Sequence, residues 1–213
     1  LGDVYKRQNW CTWMFGRDLV NWNNNFTWAK WVTPSRDLIS AFKQEGDEVR
    51  FKESIVYYDC NWSNYYPSDN YPFMYKCRSA NSSIIKYRYA DVLLLKAEAL
   101  IMQDTPDLEG AADIIDKVRD RAKLGALPTS VRSNKNAMLN ALLKERRLEL
   151  AFEGQRWFDL VRLDKVEEVM NAVYAKDSGR KAQIYTFDKN SYRLPIPQSV
   201  IDANDKIHQN PGY

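Results

Sequence analysis

Three glutamates, Glu145, Glu149 and Glu153, recur every four residues in the string ALLKERRLELAFEGQRWFDLVR (141–162). On a helix that spacing lays the carboxylates along one side, with neighbouring Cβ atoms about 5–6 Å apart. Two chemistries are open to such a row. Two carboxylates about 5–9.5 Å apart can act as acid and as nucleophile or base across a glycosidic bond. Alternatively, the guanidinium forks of Arg146, Arg147 and Arg156, interleaved with the glutamates, can close them as ion pairs. The ion-pair reading is preferred, because each glutamate has an arginine within reach and structural networks perturb carboxylates as catalytic sites do. Asp91 and Glu98, seven residues apart among Ala and Leu, read as capping or pairing groups on a neighbouring helix.

A second chemistry lies in the aromatics. The run Trp22-Asn23-Asn24-Asn25-Phe26-Thr27-Trp28 and the cluster Trp62, Asn64, Tyr65, Tyr66 set flat rings beside amides. The C–H face of a pyranose lies well on Trp or Tyr, while an amide donates to and accepts from hydroxyls at once. The candidate sugar-binding residues are therefore Trp22, Asn24, Trp28, Trp62, Asn64, Tyr65 and Tyr66. The same rings could instead anchor long loops onto a helical layer, and most of the loop aromatics are expected to do that.

Other chemistries lack their parts. The single His, His208, has no GxSxG, HExxH or comparable motif beside it, and neither GxGxxG nor a P-loop occurs. Cys11, Cys60 and Cys77 form no CxxC pair, which predicts no metal site and leaves a Cys60–Cys77 bridge open. No cofactor is expected. With 31 Lys+Arg against 28 Asp+Glu the formal charge is +3 with no run of one sign, which argues against nucleic acid as a partner. The longest apolar stretches, VLLL and ALIM, fall far short of the roughly 20 residues of a membrane span.

The elements that must position these groups divide the chain in two. Twenty of the 28 aromatics lie in residues 1–89, and residues 90–151 contain none. Residues 9–34 and 57–77, rich in Asn, Ser, Asp and Pro, read as loops. Between them Thr33-Pro34 starts a short helix that carries Leu38, Ile39 and Phe42 and stops at Gly46, and a strand follows through Phe51, Ile55 and Tyr57. From Tyr89 the stripe Tyr89, Val92, Leu93, Ala97, Leu100, Ile101 predicts a helix that ends at Thr105-Pro106. A second carries Leu108, Ala111, Ala112, Ile115, Val118 and Ala122 to a stop at Gly125. Together they form a helical hairpin that resembles a tetratricopeptide unit. A third helix begins with Ser133 as its cap and runs through Phe152 towards Gly154, helical patterning continues to Tyr174, and the tail is extended.

Residues 3–8, DVYKRQ, look like a translated sequencing-adapter end, so 1–8 are set aside as a scar and the chain is expected to be a fragment. The expected organisation is a loop-rich, aromatic, ligand-facing region over 9–83 and a helical scaffold over 84–213.

Five strings in order, TPSRDLISAF (33–42), YRYADVLLLKAEAL (87–100), AADIIDKVRDRAKLG (111–125), ALLKERRLELAFEGQRWFDLVR (141–162) and LPIPQSVIDANDKIHQNPGY (194–213), resemble the C-terminal portion of the SusD/RagB family of outer-membrane nutrient-binding lipoproteins. The resemblance implies an all-α fold with tetratricopeptide-like hairpins, long loops and a few short strands. It places Arg88, Asp91, Glu145, Arg146, Arg147, Glu153, Gly154, Arg156, Trp157 and Asp159 at scaffold positions. The expected structural network is thus Arg88, Asp91, Glu145, Arg146, Glu149, Glu153, Arg156 and Asp159.

The resemblance also implies no catalysis. It implies capture of a glycan at the cell surface, delivery to a TonB-dependent, SusC-like outer-membrane transporter, and membrane attachment only through a lipid anchor on an N-terminal part. The alternatives are a peptide-binding assembly module on the helical repeats and a glycoside hydrolase using the glutamate row.

Overall fold

Ser35 opens the first helix by accepting the Leu38 N–H on its Oγ at 3.1 Å. Helix α1 (Arg36–Glu45) buries Ile39 and Phe42 on one side and ends at Gly46, which takes a φ of 70° that a side chain would resist. The computed structural model describes residues 33–59, 66–67, 69–76, 85–176 and 186–213. Asp47 then caps a second helix, α2 (Glu48–Ser54), by accepting from Arg50 N–H at 3.1 Å. The strand expected from Phe51 onward therefore begins only at Ile55, because the Asp47 cap turns the preceding residues into helix.

Strand β1 (Ile55–Tyr58) pairs antiparallel with β2 (Tyr71–Met74), Ile55 opposite Met74 and Tyr58 opposite Tyr71. The β2 segment lies in a stretch read as loop. Pro72 and the Ser, Asp and Asn before it signal a break, but a two-stranded ribbon has only edges, where proline is tolerated. All four β2 residues are buried, so the period-2 alternation that marks a half-exposed strand is missing.

The helical hairpin is formed by α3 (Tyr89–Met102) and α4 (Leu108–Arg121), with Asp107 capping α4 through the Gly110 N–H at 2.9 Å. A side chain at Gly110 would collide with that carboxylate. The short α5 (Thr129–Arg132) leads into α6 (Lys135–Glu149), which packs against both hairpin helices. Leu94, Ala97, Ile101, Ala111, Ala112, Ile115, Met138 and Leu142 form the core between them, each essentially without solvent contact. Burying a Leu or Ile of this kind contributes about 1.5–3 kcal/mol.

Three local expectations shift. Asn134, not Ser133, caps α6, since Ser133 still lies in the right-handed turn that closes α5. The left-handed residue after α4 is Lys123 (φ 58°), ahead of Gly125. Helix α6 ends at Glu149, and Phe152 (φ 67°) and Gly154 (φ 79°) turn the chain, so Glu153 stands off the helix.

The chain divides after Arg156 into two compact units. Helix α7 (Arg156–Arg162) starts at that boundary; in the second unit α8 (Val166–Lys176) follows, and the Asn171 amide bonds both the N–H and C=O of Phe187 at 2.9 Å. The Phe187 ring stacks on Tyr174 and meets Trp157 edge-on. A 3-10 turn (Lys189–Tyr192) and α9 (Gln198–Asp202) follow. The tail closes on itself: the Gln209 amide bonds both backbone groups of Ile196, and Tyr213 Oη donates to Arg193 C=O at 3.1 Å. The expectation of a mainly helical fold with a helical hairpin and short strands matches what is observed.

Candidate functional site

The face of α1 opposite Phe42 repeats at helical spacing: Arg36, Ser40, then Lys43 and Gln44. It borders a cavity of about 460 Å³ whose other wall is Tyr57 of β1 together with Tyr66, Pro67 and Asn70. Tyr66 is fixed there by three contacts. Its Oη donates to Pro34 C=O at 2.7 Å, its ring meets Tyr71 edge-on at 5.5 Å, and the Arg36 guanidinium sits 5.4 Å from its centroid. Gln44 Nε2 donates to Ser40 Oγ at 3.2 Å, which leaves the serine hydrogen to donate and the Gln44 oxygen to accept. Burial pushes the Tyr57 phenol up, so it stays a neutral O–H at physiological pH. The groove thus combines aromatic surface with paired donors and acceptors.

Of the seven residues singled out for sugar, Tyr66 lines this groove. Trp22, Asn24, Trp28, Trp62, Asn64 and Tyr65 lie outside the described residues, as do Cys11, Cys60 and Cys77. The sequence reading missed Ser40, Gln44, Tyr57 and Asn70. The signal available for the first two was the polar face of α1 at i, i+4 and i+8 from Arg36.

The carboxylates of α6 and the turn after it are closed by cations from distant segments. Arg50 Nη1 reaches Glu145 Oε1 at 2.6 Å and Glu149 Oε2 at 3.0 Å, while its Nε holds Asp47 at 2.5 Å. Arg88 bonds Glu149 Oε1 at 2.6 Å and forks onto Glu153 at 2.7 and 3.0 Å. Arg121 Nη2 lies 2.6 Å from both Glu149 oxygens. Lys76 adds Glu153 at 2.5 Å and the Glu149 carbonyl at 2.6 Å. Arg146 reaches Asp91 at 2.9 Å with both side chains buried, Arg147 reaches Asp37, and Arg156 donates to Leu143 C=O. In the second unit Asp159 pairs with Arg162 at 2.7 Å.

These environments separate the two central carboxyls. Burial raises Glu145 above the ordinary carboxylate range despite Arg50. Burial also acts to raise Glu149, but Arg88, Arg50 and Arg121 outweigh it and hold that carboxyl below the range. Neither lines the groove. Among the described residues, no group of three or more His, Cys, Asp or Glu could hold a metal ion, and no helix is long and apolar enough to cross a membrane.

Comparison with known proteins places this arrangement. The SusD family profile matches residues 69–213. A SusD-like protein P38 from Formosa agariphila is 42% identical over 99 residues, which are 44% of this chain and 19% of that protein. A SusD homolog from Bacteroides thetaiotaomicron superposes with a TM-score of 0.65 at 22% identity, covering 83% of this chain and 43% of that one, a likeness of fold. A laminarin-binding SusD-like protein superposes with a TM-score of 0.55 at 26% identity, covering 85% of this chain and 38% of that one. The chain spans less than half the length of each of these three relatives.

Proposed function

Since the chain belongs to the SusD family, we propose that it works as part of a non-catalytic glycan-binding protein of the outer-membrane surface, which captures oligo- or polysaccharide and passes it to a TonB-dependent transporter. The groove on α1 carries the reading: Tyr57 and Tyr66 supply aromatic surface, and Ser40, Gln44 and Asn70 supply donors and acceptors for ring hydroxyls. The laminarin-binding relative supports a glycan as the ligand class. The residues Trp22, Asn24, Trp28, Trp62, Asn64 and Tyr65 are proposed as further sugar contacts, with 9–83 as the ligand-facing region and 84–213 as its scaffold. The glutamate row supports binding over hydrolysis, because Glu145, Glu149 and Glu153 are each buried against guanidinium groups and none opens into the groove.

The experiment is retention of the full-length protein in affinity gels cast with neutral laminarin. Ser40→Ala/Gln44→Ala alters only part-exposed and exposed side chains of α1, so it should fold normally and weaken retention. Trp22→Ala, Trp28→Ala and Trp62→Ala should each weaken it as well, with the melting temperature nearly unchanged. Normal retention by all of these variants would overturn the site, and sugar release by the parent protein would overturn the non-catalytic reading.

A further inference from the structure

The corner between α1 and α2 leaves a second hollow beside the groove. Gly46 takes its left-handed φ of 70° there, and the Asp47 N–H donates to Phe42 C=O at 3.0 Å. The Asp47 carboxylate caps α2 and holds Arg50 at 2.5 Å, so the corner is fixed from both sides. A side chain at Gly46 would meet nothing within 4 Å, which shows how open the turn is. The hollow measures about 380 Å³ and is lined by the rings of Phe42 and Phe51 together with Lys43, Glu48 and Lys52. Phe42 is only 1% exposed, so Phe51 is the ring that a ligand could cover.

Two observations join this hollow to the groove. Lys43 borders both cavities. Phe51 of the hollow also packs against Tyr57 of the groove, with ring centroids 6.3 Å apart. We propose that the hollow is a second subsite for one neutral glycan chain. A chain lying against Tyr57 and Tyr66 continues past Lys43, sets a further sugar ring on Phe51, and bonds its hydroxyls to Glu48 and Lys52. The inference rests on the glycan-binding reading of the groove. Glu48 and Lys52 face each other at 3.3 Å and are both exposed, so the edge of the hollow offers carboxylate acceptors and ammonium donors together. Hydroxyl groups, which donate and accept at once, match that pairing, whereas a charged chain would be repelled by one of the two. A chain long enough to fill both cavities makes its second contact at high effective concentration, so the gain appears only above a certain length.

The test measures binding of the full-length protein, by calorimetry, to β-1,3-gluco-oligosaccharides from laminaribiose to laminariheptaose and to laminarin. Affinity should climb with length until both cavities are filled and then level off. Glu48→Ala/Lys52→Ala removes an exposed pair that contributes little to stability. It should lower affinity for the longest oligosaccharide by about two- to tenfold. The shortest oligosaccharide that binds should be held as tightly as before. Phe51→Leu, which keeps apolar bulk against Phe42 and Tyr57, should act in the same way. Ser40→Ala/Gln44→Ala, in the groove, should weaken every length alike. Unchanged long-chain affinity in both hollow variants, or an equal loss at every length, would overturn the inference. If the groove variant still weakens every length in that case, the glycan-binding reading stands. Binding of no oligosaccharide and no laminarin by the parent protein would overturn both.

Discussion

Arg50 and Glu145 stand 95 residues apart in sequence and meet at 2.6 Å with both side chains buried. The pair fastens α2 to α6, and through α2 it fixes the start of β1. Removing one partner of such a pair leaves a charge in a site it cannot leave, which costs about 3–5 kcal/mol. Arg50→Met exposes Asp47 and Glu145 to that penalty, while Glu149 keeps Arg88 and Arg121, and should lower the urea midpoint accordingly. Glu145→Gln should cost less than half as much. Burial already disfavours that carboxylate, and the amide oxygen still accepts from Arg50.

The two central glutamates should respond to acid in opposite directions. Glu149 has a folded pKa below its unfolded value of about 4.3, so its contribution is complete above that value and is lost as pH falls through the depressed one. Glu145 has a raised folded pKa, so the native state binds the extra proton and stability declines as pH rises through the window above about 4.3. Melting curves should therefore show the gap between wild type and Glu149→Gln narrowing on acidification below about pH 4. Wild type and Glu145→Gln should diverge in favour of the variant as pH rises. Parallel curves for both variants would contradict the assignment.

Helix α3 permits a sharp contrast in packing. Leu94 is fully buried in the core, whereas Val92 is 53% exposed. Leu94→Ala should cost about 2–5 kcal/mol and Val92→Ala under about 0.5 kcal/mol, read from chemical denaturation.

That contrast marks what the sequence could reveal. On α4 the apolar positions stand out against charges, and Ala111, Ala112, Ile115 and Val118 are the buried set that the pattern indicates. On α3 nearly every position is apolar, so periodicity cannot choose a face. The true face is marked by a charge, Asp91, buried because Arg146 meets it. The glutamate row was visible at i and i+4, and the resemblance named Arg88 with it, but Arg50 and Lys76 were not visible: they lie 73 to 99 residues from Glu149, and only folding brings them in. Glu153 fits the same helical spacing in sequence, yet it reaches Arg88 from the turn at Phe152 rather than from the helix. At the groove, the aromatic composition pointed to Tyr66, while the polar partners came from a helix face that carries no motif.

Lys76 provides the last expectation, because it ties the end of the ribbon to the end of α6. Its Nζ donates to the Glu149 carbonyl at 2.6 Å and pairs with Glu153 at 2.5 Å, one residue after Tyr75 N–H bonds Ser54 C=O at 2.8 Å. Burial lowers the lysine pKa, and Glu153 offsets part of that shift, so the ammonium is held by its partners rather than by solvent. In Lys76→Met the burial cost of the charge disappears, but the Glu149 carbonyl keeps only Arg88 Nη2, at 2.6 Å, as its described donor and Glu153 keeps only Arg88 as its described cation. The net loss should be about 1–3 kcal/mol. It should be local: amide exchange should accelerate at Tyr75 and along β1 and β2, while Leu94, Ile101 and Ile115 in the α3–α4 core keep their protection. Uniform acceleration across both regions would mean that Lys76 supports the whole unit rather than the ribbon.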